Sequence, residues 1–277
     1  MTVAPPVERP LPRSRRTTLD RASGLGLGVA LTWFSILVMI PLAVVVVHAT
    51  DDGWATFADT LRNPQTAAAL RLTVAQAALV TVVNVVMGTL IAWVLVRDDF
   101  PGKRVLEVVI DIPFALPTIV AGLVLLSLYG PTSPLGVDVV NTRWAVFLAL
   151  LFVTLPFVVR TVEPVLIELD TDVEEAAASL GASQATTLRR IVLPALLPAI
   201  TSGAALSFAR GISEYGSLVL ITGNLPMRTE MASVRILSYI ENGNTAAAAA
   251  IATLLLAVAL LVIVTLEIIS RRVARRG

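Results

Sequence analysis

Long apolar stretches separated by short polar ones dominate the chain. Runs close to the roughly 20 residues that a helix needs to cross a ~30 Å hydrocarbon core occur at about Gly24 to Val47, Leu72 to Val96, Ile112 to Tyr129, Trp144 to Val159, Leu196 to Leu220 and Thr245 to Leu266. This pattern predicts an all-α, polytopic membrane protein with six transmembrane helices. The fourth run is the weakest, because Arg143 and Arg160 leave about sixteen residues between them. Arg160 would have to snorkel, while Trp144 suits an interface. The run counts as a span because without it the two ends of the chain would face opposite sides of the bilayer.

Composition agrees with the pattern. A mean hydropathy of +0.83, with 56% apolar and 15% charged residues, would expose too much hydrocarbon in a water-soluble globule. The absence of cysteine removes disulfides and thiolate metal sites, and the single His48 cannot build a histidine site. His48 is expected at the head-group end of the first span.

Charge placement predicts orientation. Arg9, Arg13, Arg15, Arg16, Arg21, Arg97, Lys103, Arg104, Arg160, Arg189, Arg190, Arg271, Arg272, Arg275 and Arg276 fall on one set of flanks. Arg62, Arg71, Arg143, Arg228 and Arg235 fall on the other, beside Asp51, Asp52, Asp59 and Asp138. The positive-inside rule places both termini in the cytoplasm. Residues 1–22 read as a flexible basic, proline-rich tail, 23–64 as a retained first span with an outer loop, 65–270 as the core and 271–277 as a basic tail. The charged ends also suit anionic lipid.

A polar segment in the third cytoplasmic flank, within a loop at 164–194, breaks the apolar pattern in an organised way. Thr171 or Asp172 can cap a short helix whose first turn holds Glu174 and Glu175, both favourable at the positive end of the helix dipole. Ala176, Ala177 and Ala178 propagate it, and Gly181 suits a left-handed C-terminal cap. Such a two-turn helix is marginal alone in water and is expected to be held by a partner. Ser183 can begin a second helix that runs through Arg189 and Arg190 toward the bilayer.

The full spacing is Glu175-Ala176-Ala177, three residues, Gly181, nine residues, Ile191, one residue, Leu193-Pro194. It resembles the cytoplasmic coupling loop of permease subunits of binding-protein-dependent ABC importers, over about residues 65 to 270. The resemblance implies an ABC type I importer permease fold. It implies that Glu174, Glu175, Ala176, Ala177 and Gly181 dock on an ATP-hydrolysing subunit, and that Ile191, Leu193 and Pro194 start the next span. It also implies as partners two ATP-binding subunits, a second permease subunit, an extracytoplasmic binding protein and membrane lipid, with no nucleic acid.

No cofactor is expected on this chain. Gly102-Lys103-Arg104 lacks the upstream glycine and the following hydroxyl of a phosphate-binding loop, so ATP and Mg are expected on the partner ATPase. The spans lack the carboxylate and histidine relay of a proton-driven pump, and neither a channel filter, an inverted repeat nor a catalytic constellation is visible. The chain is thus expected to be a transport subunit and not an enzyme.

Two further segments resemble the sulfate and molybdate branch of these permeases. One is Asp111-Ile112-Pro113-Phe114-Ala115-Leu116-Pro117-Thr118-Ile119-Val120-Ala121-Gly122; the other is Phe208-Ala209-Arg210-Gly211-Ile212-Ser213-Glu214-Tyr215-Gly216-Ser217. The first is more similar to T-type sulfate/thiosulfate subunits than to the W-type companion or the molybdate permease, which remain the alternatives. Ser213 and Tyr215 depart from the commoner Gly and Phe.

The residues can be read independently of the family. Pro113 and Pro117 should bend or open the third span, and Asp111 either caps it or pairs with another charge. Arg210 and Glu214, one turn apart in the fifth span, are either a self-neutralising structural pair or the lining of an oxyanion path, with Gly211 and Gly216 permitting close helix approach. Ser217 joins Asp111, Pro113, Pro117, Arg210 and Glu214 as a candidate for that path. Pro131 to Gly136 reads as a turn-rich link, and Met227 to Ile240 as a short amphipathic helix on the outer face.

Overall fold

In a bilayer, backbone polar groups must be bonded within the protein. The computed structural model describes residues 21–169 and 171–274, and its regular structure is entirely helical there. The expected contributions of Arg9, Arg13, Arg15, Arg16, Arg275 and Arg276 lie outside the described residues. The chain forms two compact units, one closing at Val44 and the other starting at Val45. The first contains α1 (Arg21–Phe34), a π-helical turn (Ser35–Met39) and the start of α2 (Ile40–His48). Ser23–His48 is long and apolar enough to cross a membrane.

The second unit opens on α3 (Gly53–Arg62) and α4 (Pro64–Arg97). Asn63 Oδ1 accepts from the backbone N–H groups of Gln65 and Thr66 at 3.0 and 3.3 Å, and Pro64 lacks only a donor that a first helical turn leaves unused. This cap, and not the onset of the apolar run at Leu72, sets the start of α4. The chain continues through α5 (Lys103–Ala115), α6 (Thr118–Tyr129) and α7 (Arg143–Glu168). Next come α8 (Thr171–Ser179), α9 (Gln184–Thr187), a π-helical turn (Leu188–Val192) and α10 (Leu193–Ile212). The last elements are α11 (Gly216–Ile221), α12 (Ala232–Glu241) and α13 (Thr245–Ala274).

Three of the expected spans take a different form. The third is not one helix: α5 and α6 meet at a 118° bend. Pro113 stays inside α5, and the break falls at Leu116–Pro117, where the residue before proline is driven extended (ψ 136°) and Pro117 caps α6. Among the described residues five helices are long and apolar enough to cross a membrane, and the bent pair makes a sixth if its two halves are one span. Lys103 Nζ approaches Asp99 Oδ1 at 3.5 Å just past the end of α4, while the Val139 N–H donates to the Tyr129 carbonyl at 3.0 Å just before α7 begins.

The fourth span runs to Glu168, not Val159, and is the hub of the bundle. In its most apolar window 56% of residues are buried, against 0 to 44% in the other single-helix spans. The sequence misleads here because Arg160 is no flanking charge but an internal one, paired within the bundle. The fifth span begins at Gln184 and ends at Ile212, so Ser213, Glu214 and Tyr215 form a break and Gly216 to Leu220 belong to a separate short helix. Both tail boundaries also move, since Arg21 and Ala22 lie in α1 and Arg271 to Ala274 in α13. The outer helix starts at Ala232, five residues after its expected start at Met227, and packs as part of the bundle.

Two larger cores stack along α7. One joins Ala92 and Leu95 to Val158, Val162, Leu166 and Leu196; the other joins Val80 to Ala149, Leu150, Leu218, Ile221 and Met231. Between the two helix breaks, glycine permits contact that no side chain would. A Cβ on Gly122 would lie 2.6 Å from the Ser217 carbonyl oxygen, and one on Gly216 2.2 Å from Thr118 Oγ1 and 2.9 Å from the Ile119 nitrogen. Gly211 is looser, its Cβ position being 3.4 Å from Ala77.

Gly122→Ala must therefore displace backbone. We expect it to destabilise the protein by about 1–3 kcal/mol, the range for overpacking, seen as a lower melting temperature in detergent. Gly24→Ala, which meets nothing within 4 Å, should melt as the wild type does. Equal melting of Gly122→Ala and wild type would contradict the packed breaks.

Candidate functional site

Helix α8 projects from the bundle on the face that also carries the ends of α4 and α7. Its first turn contains Thr171 and Asp172, so neither is the cap, and the capping position 170 lies outside the described residues. Its C-terminus follows the expected chemistry. Gly181 has φ +85°, its N–H donates to the Ala178 carbonyl at 2.9 Å and the Ala182 N–H donates to the Ala177 carbonyl at 3.0 Å. These two bonds are a Schellman motif, which stops the helix and turns the chain.

Glu174 and Glu175 separate in role. Glu174 faces inward, and its Oε1 accepts from Arg97 Nη2 at 2.6 Å, while Nη2 also reaches the Leu169 carbonyl at 3.3 Å. The Arg97 guanidinium lies 5.8 Å from the Trp93 ring centroid, so one side chain ties α8 to the ends of α4 and α7. Glu175 is exposed and lines the rim of a hollow of about 720 Å³ together with Trp93, Ala178, Ala182, Leu188 and Leu193. Ala176 is exposed and Ala177 half-buried. Leu180 is 88% exposed at the tip. The helix thus turns alanines and a bare leucine outward and is anchored by one ion pair on its inner side.

Ile191, Leu193 and Pro194 do not start the next span. Ser183 starts it, as its sequence position predicts, accepting through Oγ from the Thr186 N–H at 3.3 Å, and helical structure then runs unbroken to Ile212. Ile191 lies in the π-helical turn and Pro194 is the second residue of α10. The proline supplies no N–H to the preceding turn, and the wider π turn, closed by Leu193 N–H donating to the Leu188 carbonyl, accommodates that gap.

The candidate path residues form two separate clusters. Glu214 is 1% exposed at the break after α10. Its Oε1 accepts from the backbone N–H and the hydroxyl of Ser217, each at 2.9 Å, fixing the first turn of α11. Its Oε2 faces Arg210 Nη2 at 2.7 Å, a charge pair without an aligned hydrogen bond. Its backbone carbonyl accepts from Ser233 Oγ at 2.6 Å. Glu214 and Ser217 are thus structural ties inside the chain, not an open lining, whereas the Arg210 side chain remains 29% exposed.

Asp111 is not a cap but an internal partner, half-buried within α5. Its two carboxylate oxygens accept from Arg160 Nε and Nη2 at 2.8 and 2.7 Å. Arg160 also reaches Glu163 at 2.5 Å and the Glu107 carbonyl at 3.1 Å. Pro113 is half-buried two residues further along α5, and Pro117 is exposed at the bend.

Arg97, Arg160 and Glu163 matter to these sites and escaped the sequence reading, which took the arginines for orientation signals. An Arg inside a span too short to cross was the one available sign for Arg160. Nothing local marks Arg97 and Glu174, which lie far apart in the chain. Asn84 was missed as well: fully buried in α4, it donates from Nδ2 to Thr154 Oγ1 at 2.7 Å and to Ser207 Oγ at 3.4 Å, joining three spans.

The sequence matches the family described as binding-protein-dependent transport system inner membrane component over residues 84–275. It is 39% identical to the sulfate transport system permease protein CysT of Salmonella typhimurium, covering 91% of this chain and 94% of that one. It is 37% identical to the CysT protein of Synechocystis, covering 98% and 97%. Among solved structures it is similar to a chain of a bacterial alginate ABC transporter, with TM-score 0.74, 17% identity and coverage of 90% and 94%. It is also similar to a chain of the inward-facing MetNI methionine ABC transporter, with TM-score 0.59, 19% identity and coverage of 74% and 94%. These two likenesses bear on the fold.

Because Arg97 is the anchor of α8, Arg97→Gln should raise amide hydrogen exchange across residues 171–182 by about tenfold, as expected for losing a partly exposed charge-assisted bond worth roughly 1.4 kcal/mol. Exchange in α7 should not change. Unaltered exchange in α8 would show that the ion pair does not hold it.

Proposed function

We propose that this chain, which belongs to the family of binding-protein-dependent transport system inner membrane components, is the permease subunit of an ATP-driven importer of sulfate or thiosulfate. The observation that carries this reading is α8, a short helix closed by Gly181, anchored by Arg97 and presenting Ala176 and Leu180 to a partner. The choice of cargo is supported by the 37–39% identity to permeases named for sulfate transport.

In this reading the face bearing α8 is cytoplasmic. It carries Arg97, Lys103, Arg104, Arg189, Arg190, Arg271 and Arg272, whereas the opposite face carries Arg62, Arg143, Arg228 and Arg235. The positive-inside rule then places both termini in the cytoplasm. Two ATP-binding subunits hold ATP and Mg, one of them seating α8. A second permease subunit, the W-type homologue, completes the membrane path, and an extracytoplasmic sulfate-binding protein delivers the anion. Lipid surrounds the bundle.

The geometry gives a route for coupling. Closure of the ATPase pair draws α8 inward, and Arg97 passes the displacement to α4. The Schellman turn passes it to the unbroken helix from Gln184 to Ile212. That helix carries Arg210 in its last turn, just before the break at Ser213–Tyr215, so a push at the cytoplasmic surface arrives where a cation is held. Arg210 supplies a divalent oxyanion with a transient positive partner, and Glu214 keeps that attraction weak enough for release. A conformational cycle of this kind needs each ligand to favour one state, which ATP on one side and the loaded binding protein on the other supply.

Variants of the intact transporter in cells test the reading through sulfate uptake. Glu175→Lys, with the wrong charge at the positive end of α8, should abolish uptake while membrane insertion persists. Arg210→Ala should reduce it by at least about tenfold, the effect of losing a charged hydrogen-bond donor worth roughly 1.5–3 kcal/mol. Because Arg210→Ala also strands Glu214, Arg210→Lys is the companion variant and should retain measurable uptake. Normal uptake in Glu175→Lys would refute the docking role, and normal uptake in Arg210→Ala the path role.

A further inference from the structure

On the face opposite α8, two loops build a hollow of about 340 Å³ lined by Asn141, Thr142, Arg143, Arg228 and Thr229. Two arginines meet there at the N-terminus of the long helix α7, where the dipole is positive. Arg143 Nε donates to the Arg228 carbonyl at 3.3 Å, which fixes one guanidinium against the loop that carries the other. Among the described residues no carboxylate lies within ion-pair distance of either arginine.

The hydroxyls beside them are already committed. Thr142 Oγ1 donates to the Val139 carbonyl and accepts from the Trp144 N–H, while Thr229 Oγ1 donates to the Thr222 carbonyl and accepts from the Leu225 N–H. Beside the Asn141 amide, the donors left in the hollow are the Arg143 Nη groups and the Arg228 guanidinium.

The loops are built rather than slack. The Asn141 N–H donates to the Ile221 carbonyl at 3.2 Å, and the N–H groups of Arg228, Thr229 and Glu230 converge on the Leu225 carbonyl at 2.9–3.1 Å. Asn141 Oδ1 packs so closely on Gly223 that a Cβ there would lie 1.8 Å away. Among the described residues every non-glycine residue with positive φ lies in these loops: Asn141 (62°), Asn224 (48°) and Met227 (62°). Backbone held in disfavoured conformations by this many bonds is a pattern of functional sites. Exposed Trp144, edge-on to Phe147 at 5.8 Å, stands beside the hollow and is of the residue type enriched at bilayer interfaces.

We propose that Arg143 and Arg228 form a binding site for a tetrahedral oxyanion on this face. Two guanidinium groups without an ion-pair partner, lining one concave hollow, match the geometry and charge of such an ion. The ion is either free sulfate or the phosphate of a lipid head group, which share this chemistry. The choice of sulfate as a probe rests on the proposed cargo; the chemistry of the hollow does not.

The test uses the full chain purified in a phosphate-free sugar detergent, with equilibrium binding of radiolabelled sulfate at low salt. Wild type should bind sulfate saturably, Arg143→Gln and Arg228→Gln should each bind about tenfold more weakly, as expected for losing a charged fork, and the double variant should lose this binding. Arg62→Gln, at an exposed arginine outside the hollow, should keep it, which separates the hollow from surface charge in general. Nanodiscs distinguish the source. Equal sulfate binding in phosphatidylcholine and phosphatidylglycerol discs identifies the free anion. Loss of sulfate binding in phosphatidylglycerol discs, with that lipid retained by wild type but not by the double variant in native mass spectrometry, identifies the head group. Both arginines are exposed, so if the double variant fails to fold the single variants decide by the same criterion. Variants that bind both probes as wild type does would overturn the proposal. A protein that binds sulfate here but imports none in cells would refute the cargo and leave the site standing.

Discussion

A carboxylate buried at a helix break must be matched on every side, and Glu214, 1% exposed, is bonded to three elements at once. Burying an ionised carboxylate without partners costs several kcal/mol. The cost is offset by Arg210 at 2.7 Å and by two bonds from Ser217, and the same residue's carbonyl receives Ser233 from the start of the outer helix. One residue thus pairs with the last turn of α10 and begins α11 through its side chain, and ties α12 through its backbone carbonyl. Its neutralisation leaves Arg210 with part of its guanidinium uncovered, so the residue that stabilises the break also determines where positive charge is presented.

The same logic explains why α7 sits at the centre. Its interior charged and polar groups find partners inside the protein: Arg160 with Asp111 and Glu163, and Thr154 with Asn84. Without a hydrophobic force between helices in lipid, such bonds and small-residue contacts hold the bundle together. Gly122, Gly203 and Gly216 provide the close approaches, each at a place where a Cβ would meet a neighbour at 2.6 Å or less. The two helix breaks meet through two of these glycines, so the bent pair α5–α6 and the end of α10 are mechanically joined.

Much of this was legible from residues. Five spans, six if α5 and α6 are one, the short polar helix and its stop at Gly181 all follow from local chemistry: apolar length, a first-turn acid pair and a left-handed glycine. What local chemistry misplaced was the interior charge. Arg160 read as the end of a span because a single sequence cannot show that Asp111 waits beside it, and Glu214 read as mid-helix because its capture of the Ser217 N–H depends on a turn formed only in the fold. Leu193-Pro194 read as a helix start for the same reason, since the π turn that absorbs the missing donor leaves no mark in composition. Asn84 was hidden in an apolar run, where one amide changes hydropathy little but joins three helices.

These features assemble into one device: an exposed helix at one membrane face, a continuous lever from Gln184 to Ile212 and a paired charge where the lever ends. The central claim, that this device moves sulfate only when driven from the α8 side, is tested most directly by reconstituting the purified complex with its ATPase and binding protein in liposomes and following radiolabelled sulfate. The account predicts uptake that requires ATP on the α8 side and the binding protein on the other. Sulfate flux down its gradient without ATP, or without the binding protein, would contradict it.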